Sequence, residues 1–299
     1  MGEHMQANTA LSNAKKYSRN ARNLVNFKII DYLCGIKPDT DMLGAIIGDI
    51  VGSPYEFNNT SNPRFPLFGK ESEFTDDTIC TIAVADALLT GESFGSALQR
   101  WCRKYPNPKG AYGGSFNAWL NAKNPMPYNS WGNGAAMRVS PVGWAFKSEA
   151  ETLRAALASA KPTHDHVEGL IGASVVARAI YLLRTMNRPS FFNGEVVDLV
   201  ASHYGEYWSM HVPPRGVFDE TCQGCVPLAF LICSESDGFE EAIRRAVLYG
   251  GDSDTLAAIV GSLAEARWGI PENIRKKALS MLPAEMQNVI VEFEKCYKK

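Results

Sequence analysis

The chain has 299 residues and a formal net charge of −2, with 45% hydrophobic and 21% charged residues. Generic nucleic-acid-binding proteins carry a basic surface that neutralises phosphates. This chain is nearly neutral, and its charge therefore excludes that class of protein. No apolar run approaches the roughly 20 residues that cross a bilayer, so we expect a soluble protein that does not span a membrane.

The seven cysteines are odd in number and lie mostly inside apolar stretches, a usage typical of reduced intracellular thiols. We therefore expect a cytoplasmic protein. Cys222 and Cys225 have CxxC spacing, but no second such pair and no nearby histidine pair completes a zinc site. Their surroundings also differ from a thioredoxin-like redox motif, so we interpret both as packed thiols and assign them no role.

Residues 1–40 are polar and weakly patterned, and we expect them to form an N-terminal extension. The first four residues resemble a remnant of cloning, which would place the native start at Met5. Residues 41–299 then make up the single folded domain.

From residue 41 onward, apolar residues recur with helical spacing almost everywhere. Residues 42–51 combine apolar side chains with interposed glycines, as expected of a buried helix packed closely on a neighbour. Strand patterns bounded by hairpin turns are scarce. The chain is therefore predicted to be all-α, with helices at residues 42–51, 79–89, 169–183, 226–233, 256–268 and 283–297 and loops at residues 58–70, 105–114 and 121–134.

Two short acidic clusters each precede an apolar helical run. An aspartate at a helix start is usually a cap, but a helix start needs about one capping side chain, so a second carboxylate is unexplained. Carboxylate and hydroxyl oxygens are the donors that hard divalent cations prefer. The clusters therefore predict a binuclear metal site assembled from distant parts of the chain. The first acidic cluster is Thr75, Asp76 and Asp77, and the second acidic cluster is Asp252, Asp254 and Thr255.

Glu56 would add a fifth carboxylate to this site. Five negative charges nearly balance the four positive charges of two divalent ions. With no nearby His or Cys ligand, the oxygen donors favour magnesium or manganese over zinc.

A glycine-rich loop at residues 131–138 has the sequence WGNGAAMR. Its glycines would let a ligand approach the backbone closely, and Arg138 could meet a phosphate. A structural loop followed by a helix explains the same pattern equally well. His164 and His166 precede a long apolar helix, where a histidine is more often a capping or solvated residue than a ligand contact.

Together these motifs resemble the ADP-ribosylglycohydrolase family, which includes the dinitrogenase reductase-activating glycohydrolases and the ADP-ribosyl-acceptor hydrolases. The resemblance runs from about residue 41 to the C-terminal helix, with the motifs in the family's order. Those motifs are residues 44–49 (GAIIGD), Tyr55 with Glu56, residues 75–78 (TDDT), residues 132–138 (GNGAAMR), Thr163 with His164, and residues 251–255 (GDSDT).

The resemblance implies an all-α orthogonal helical bundle with two magnesium or manganese ions in a central cleft. It implies that Glu56 approaches the second ion and swings away to admit substrate. The implied metal ligands are Thr75, Asp76 and Asp77 for the first ion, Asp252 and Thr255 for the second, and Asp254 for both. The implied substrate contacts are Gly132, Asn133, Gly134, Ala135, Ala136, Met137, Arg138 and His164.

The implied activity is hydrolysis of the glycosidic bond between ADP-ribose and an acceptor, which would be a modified protein side chain or a small conjugate. Asp76 or Glu56 would act as the general base for the attacking water. One alternative is a hydrolase of O-acetyl-ADP-ribose or another small conjugate, and an ADP-ribosylated base also stays open as substrate. A second alternative is a non-catalytic ADP-ribose-binding or structural protein, which would be expected to have lost metal ligands.

Overall fold

The computed structural model describes residues 42–186 and 194–297, and the regular structure within these ranges is helical without any strand. The prediction of an all-α fold is confirmed. The helices are α1 (Leu43–Gly52), α2 (Asp76–Thr90), α3 (Phe94–Lys104), α4 (Gly114–Asn121), α5 (Gly134–Met137), α6 (Ser140–Ala145), α7 (Glu149–Ala160), α8 (Val167–Thr185), α9 (Glu195–Tyr204), a 3-10 turn (Trp208–Met210), α10 (Cys222–Ser234), α11 (Phe239–Tyr249), α12 (Ser253–Trp268), α13 (Glu272–Leu279) and α14 (Ala284–Tyr297).

Helices α1 and α12 pack backbone against backbone, although they come from opposite ends of the described chain. A Cβ atom on Gly48 would lie 1.9 Å from the carbonyl oxygen of Ala257, and one on Gly44 would lie 2.3 Å from that of Gly261. Only glycine permits so close an approach. The interposed glycines of the sequence therefore have the packing role predicted for them, and they bring the start of α12 close to α1.

The two helices that follow the acidic clusters begin earlier than the apolar patterns predicted. Helix α2 starts at Asp76 rather than residue 79, and α12 starts at Ser253 rather than residue 256. The clusters therefore lie at the first turns of these helices, where free backbone amides point outward.

Several helices have no counterpart in the sequence prediction, including α3 and α7. Both begin at serine caps: Ser93 accepts from the amide of Ser96, and Ser148 accepts from that of Glu151. The Ser148 hydroxyl also donates to the Glu151 carboxylate at 2.6 Å, which links the side chains of the N-cap and N3 positions.

The predicted N-terminal extension, with Met5 as its native start, lies outside the described residues. Across residues 42–186 and 194–297, no helix is both long and apolar enough to cross a membrane.

Candidate active site

The first acidic cluster opens helix α2, but neither of its carboxylates caps that helix. Thr75 is the N-cap residue, and its hydroxyl accepts from the Asp77 amide at 3.2 Å. Asp49 of α1 accepts from the amides of Thr75 and Thr78 at 2.9 and 3.1 Å through its Oδ2 atom. The Asp77 carboxylate is buried, and its Oδ2 atom has no partner among the described residues. Capping therefore does not explain Asp76 and Asp77.

The second acidic cluster shows the same surplus of carboxylates. Asp252 is the N-cap residue of α12, yet its side chain makes no capping hydrogen bond. It accepts instead from Nδ2 of Asn133 at 2.6 Å. Asp254 is buried, and within the described part of the chain its Oδ1 atom has no partner.

The two clusters meet in the fold. The Thr255 hydroxyl donates to Oδ1 of Asp77 at 3.4 Å across a separation of 178 residues. Helix α1 joins them, because Asp49 fastens the start of α2 while Gly52 lies against the start of α12. A Cβ atom on Gly52 would be 2.5 Å from the carbonyl oxygen of Ser253.

Burial and mutual repulsion raise the pKa of the carboxyl groups at this location. Burial is the largest cause for Asp77, followed by the charge of Asp254, and the pKa of each lies well above its ordinary value. The pKa of Asp252 is raised to about 6 by burial, against the hydrogen bond from Asn133. That of Glu56 is raised to about 8 by burial and then by the charge of Asp254. A bound divalent cation would neutralise this concentration of negative charge.

The donor chemistry of the site fits a hard divalent cation. Asp49 Oδ1, Asp77 Oδ2 and Asp254 Oδ1 are buried oxygens without a hydrogen-bond partner among the described residues. Such atoms cost free energy unless something satisfies them. As the side chains stand in residues 42–186 and 194–297, no three Asp, Glu, His or Cys groups could hold one ion. Ion binding would therefore require side-chain rotation, and the dimetal centre stays a prediction.

The glycine-rich loop is fastened to the start of helix α10. The Asn133 amide donates to Glu220 O at 2.7 Å, and the Cys222 amide donates to Trp131 O at 3.0 Å. The Cys222 thiol adds a third bond to Gly132 O at 3.1 Å.

Asn133 connects this loop to the second acidic cluster. Its Nδ2 atom donates both to Asp252 Oδ2 and, at 3.3 Å, to the Cys225 sulfur. Burial raises the pKa of the Cys222 thiol to about 12 and that of Cys225 well above its ordinary value. Both are therefore protonated hydrogen-bonding groups and not reactive thiolates. The pair is packed, as predicted, and in addition it holds the loop.

Arg138 ends the glycine-rich loop but is buried, with 1% of its surface exposed. Its Nη2 atom donates to Ser159 O at 3.1 Å and to the Thr163 hydroxyl at 2.8 Å. No carboxylate among the described residues forms an ion pair with it. In this arrangement the guanidinium is out of reach of a phosphate. The structure therefore differs from the direct phosphate contact by Arg138 that the sequence suggested. Ala135, Ala136 and Met137 of α5 also point their side chains into the core.

His164 is buried beside the loop, with its Nδ1 atom 2.7 Å from the Thr163 hydroxyl. Its Nε2 atom lies 3.1 Å from the position that a Cβ atom would take on Gly134. The capping interpretation applies instead to His166, which is the N-cap of α8 and accepts from the Glu168 amide at 3.2 Å.

Glu56 lies on the loop after α1, half-buried, and Asn59 fastens that loop to the second acidic cluster. The Asn59 side chain accepts from the Gly251 amide at 2.8 Å and donates to the Gly251 carbonyl at 3.1 Å. The next residue after Glu56, Phe57, is 74% exposed and stacks on Phe218 with ring centroids 5.9 Å apart.

Several residues at the site were not predicted as functional. Asp49 had a sequence signal, since it is the one charged residue in the apolar stretch 42–51. Lys109 lowers the pKa of Glu56 by its charge, but it lies in a loop whose course the sequence does not reveal. Cys80 lies one turn after Asp76. Burial is the largest cause of the raised pKa of Asp76, and Cys80 is the second. Its sulfur contacts that of Cys102 at 3.7 Å.

Residues 41–295 match the family model described as ADP-ribosylglycohydrolase. Among curated proteins, ADP-ribosylhydrolase ARH3 of Mus musculus is 26% identical, with 77% of this chain and 83% of that protein covered. The ADP-ribosyl-(dinitrogen reductase) glycohydrolase of Rhodospirillum rubrum is 25% identical, with 83% and 90% covered. ADP-ribosylarginine hydrolase Tri1 of Serratia proteamaculans is 24% identical, with 81% and 74% covered. A solved ADP-ribosylglycohydrolase-related protein complex shares the fold at a TM-score of 0.69 and 23% identity, covering 88% of this chain and all of its own.

Proposed function

The chain belongs to the ADP-ribosylglycohydrolase family of hydrolases, and from that premise we propose that it cleaves the glycosidic bond between ADP-ribose and an acceptor and releases ADP-ribose. One observation carries the proposal: two acidic clusters, remote in sequence, meet at the Thr255–Asp77 contact with carboxylates that no helix cap uses. A structural explanation of these residues would leave their buried oxygens unsatisfied.

Family members depend on a metal, and we assign two magnesium or manganese ions to this chain. Such ions would supply Lewis-acid polarisation of bound oxygen atoms and a lowered pKa for bound water. Two features support this assignment of ions: the possible ligands are all oxygen donors, and three buried carboxylate oxygens lack a hydrogen-bond partner among the described residues. The residues that would hold the ions are Thr75, Asp76 and Asp77 for one, Asp252 and Thr255 for the other, Asp254 for both, and Glu56 at the periphery.

The general base is Asp76 or Glu56. A general base must exchange its proton with solvent between turnovers, and these two are half-buried whereas Asp77, Asp252 and Asp254 are buried. Glu56 has the additional feature of lying on a loop, near the positive charge of Lys109. Either carboxylate would take the proton of the water that attacks the anomeric carbon as the acceptor departs.

The glycine-rich loop would bind the ADP-ribose. Asn133 holds the loop against Asp252, so the ligand-binding and acidic parts of the site are mechanically joined. Gly132 and Gly134 leave the backbone open to close approach. Trp131 is 52% exposed at the loop's entrance and offers an aromatic face.

The acceptor is either a modified protein side chain or a small conjugate such as O-acetyl-ADP-ribose. Two of the relatives are named for ADP-ribosylated dinitrogen reductase and ADP-ribosylated arginine, and the loops at residues 58–70 and 121–130 would select the acceptor in this chain. Buried unbridged thiols such as Cys80, Cys102 and Cys233 suit a reducing cytoplasmic location.

The test is release of free ADP-ribose from arginine-, serine- and acetyl-linked substrates, with and without added metal. We expect turnover of at least one substrate, its loss with EDTA and its recovery with magnesium or manganese. Undiminished turnover in metal-free protein would overturn the metal assignment. Tight ADP-ribose binding without turnover of any conjugate would identify a non-catalytic binding protein instead.

A further inference from the structure

A buried hydrogen-bond relay runs from Arg138 through Thr163 to His164. A guanidinium group can only donate, so the 2.8 Å contact places a proton of Arg138 Nη2 on the Thr163 oxygen. The Thr163 hydroxyl proton must then point elsewhere. Among the described residues, its one acceptor within reach is His164 Nδ1, at 2.7 Å.

The relay determines which nitrogen of His164 carries the proton. If Nδ1 accepts from Thr163, it is unprotonated, and a neutral imidazole then has its proton on Nε2. Burial, and next the positive charge of Arg138, hold the pKa of His164 well below its ordinary value. The ring is therefore neutral near neutral pH, and the tautomer is well defined.

The protonated nitrogen faces the glycine-rich loop. Nε2 lies 3.1 Å from the Cβ position of Gly134 and 3.7 Å from that of Gly132. It has no hydrogen-bond partner within the described part of the chain. A side chain on either glycine would cover it, so the two glycines leave a free donor beside the loop.

We propose that Arg138 and Thr163 are positioning residues that hold His164, the substrate contact already implied by the family resemblance, with its proton on Nε2, so that this side chain meets bound ADP-ribose as a hydrogen-bond donor. The inference rests on the proposed function for the identity of the ligand but not for the relay itself. It gives Arg138 a role separated from the ligand by two residues, Thr163 and His164, in agreement with its burial.

The experiment is 15N NMR of the histidine side chains in the full chain, with His164 assigned by its loss in His164→Asn, followed by titration with free ADP-ribose. Wild-type protein should show a protonated Nε2 and an unprotonated Nδ1. Thr163→Val removes the hydroxyl that donates to Nδ1, so the Nδ1 resonance should shift toward that of an imidazole nitrogen that accepts no hydrogen bond. It should also weaken ADP-ribose binding by about tenfold, which corresponds to the loss of one hydrogen bond. Thr163→Ser keeps the hydroxyl and should therefore show the wild-type Nδ1 resonance and the wild-type affinity for ADP-ribose. Thr152→Val is the matched control, because Thr152 is equally buried and donates to a backbone carbonyl.

A proton on Nδ1 in wild-type protein would overturn the relay, and so would an Nδ1 resonance that Thr163→Val leaves unchanged. A shifted Nδ1 resonance with unchanged ADP-ribose affinity would overturn the ligand contact. If wild-type protein showed the expected tautomer but did not bind ADP-ribose with or without manganese, the relay would stand and the proposed function would fail.

Discussion

Thr255 donates its hydroxyl proton to Asp77 across 3.4 Å, which joins the first turns of two helices that lie 178 residues apart in the chain. Asp77 is buried, and its second carboxylate oxygen has no partner among the residues that the structure describes. A buried, half-satisfied carboxylate beside Asp254 lowers the stability of the fold. Such a cost is typical of functional sites, where stability is traded for activity.

Asp77→Asn should therefore abolish activity and stabilise the metal-free protein. The amide oxygen can still accept from Thr255, while the repulsion by Asp254 disappears. We expect turnover to fall by about 100-fold or more, and the melting temperature without metal to rise by a few degrees, corresponding to about 1–2 kcal/mol. Activity assays and differential scanning calorimetry measure the two effects.

Asp237→Asn is the control for that substitution, since Asp237 is an exposed aspartate before helix α11. It should change neither quantity. A lower melting temperature in Asp77→Asn would show that this carboxylate serves the fold, as a cap or structural partner would.

The metal-free protein should lose stability as the pH rises from 5 to 7. Burial raises the pKa of Asp49 and Asp252 to about 6, above the value of roughly 3.9 for an unfolded aspartate. The native state therefore binds more protons than the unfolded state in this window, and the stabilisation present at low pH disappears as pH passes through 6. The expected loss is on the order of 2 kcal/mol in chemical unfolding, and saturating magnesium should remove it because the ions favour the ionised carboxylates. A flat or rising stability profile without metal would contradict this.

Gly48→Ala should disrupt the packing that brings the clusters together. The new Cβ atom would lie 1.9 Å from a carbonyl oxygen of α12, and backbone cannot give way as a side chain can. We expect destabilisation of about 3 kcal/mol or more in thermal unfolding, together with loss of metal binding. Gly114→Ala is the matched control, because a Cβ atom there meets nothing within 4 Å. Equal stability of the two variants would refute the backbone contact.

Asn133→Ala should weaken manganese binding without unfolding the protein. Asn133 orients Asp252 through a 2.6 Å hydrogen bond, and loss of such an outer partner typically weakens metal binding by about 10- to 100-fold. Isothermal titration calorimetry with manganese measures the change. Asn121→Ala, at an exposed asparagine that bonds only to its own helix, should bind like wild type. An unchanged affinity in Asn133→Ala would remove the positioning role.

The sequence predicted the acidic clusters because two carboxylates at a helix start exceed what capping needs. It could not predict that Asp49 would cap α2, since this contact depends on how α1 packs. Arg138 was also beyond sequence reasoning: an arginine after a glycine-rich loop is compatible with a phosphate contact or with burial, and only the tertiary structure shows Ser159 and Thr163 as its partners. The CxxC pair acquired a role for the same reason, through the loop that folds over it.

The most direct measurement of the central claim is a crystal structure grown with manganese, in which anomalous scattering locates the ions. Two manganese peaks should lie between residues 75–77 and residues 252–255, bridged by Asp254, and both should vanish in Asp254→Ala. Manganese bound elsewhere, or no peak between the two clusters at saturating manganese, would contradict a shared dimetal site.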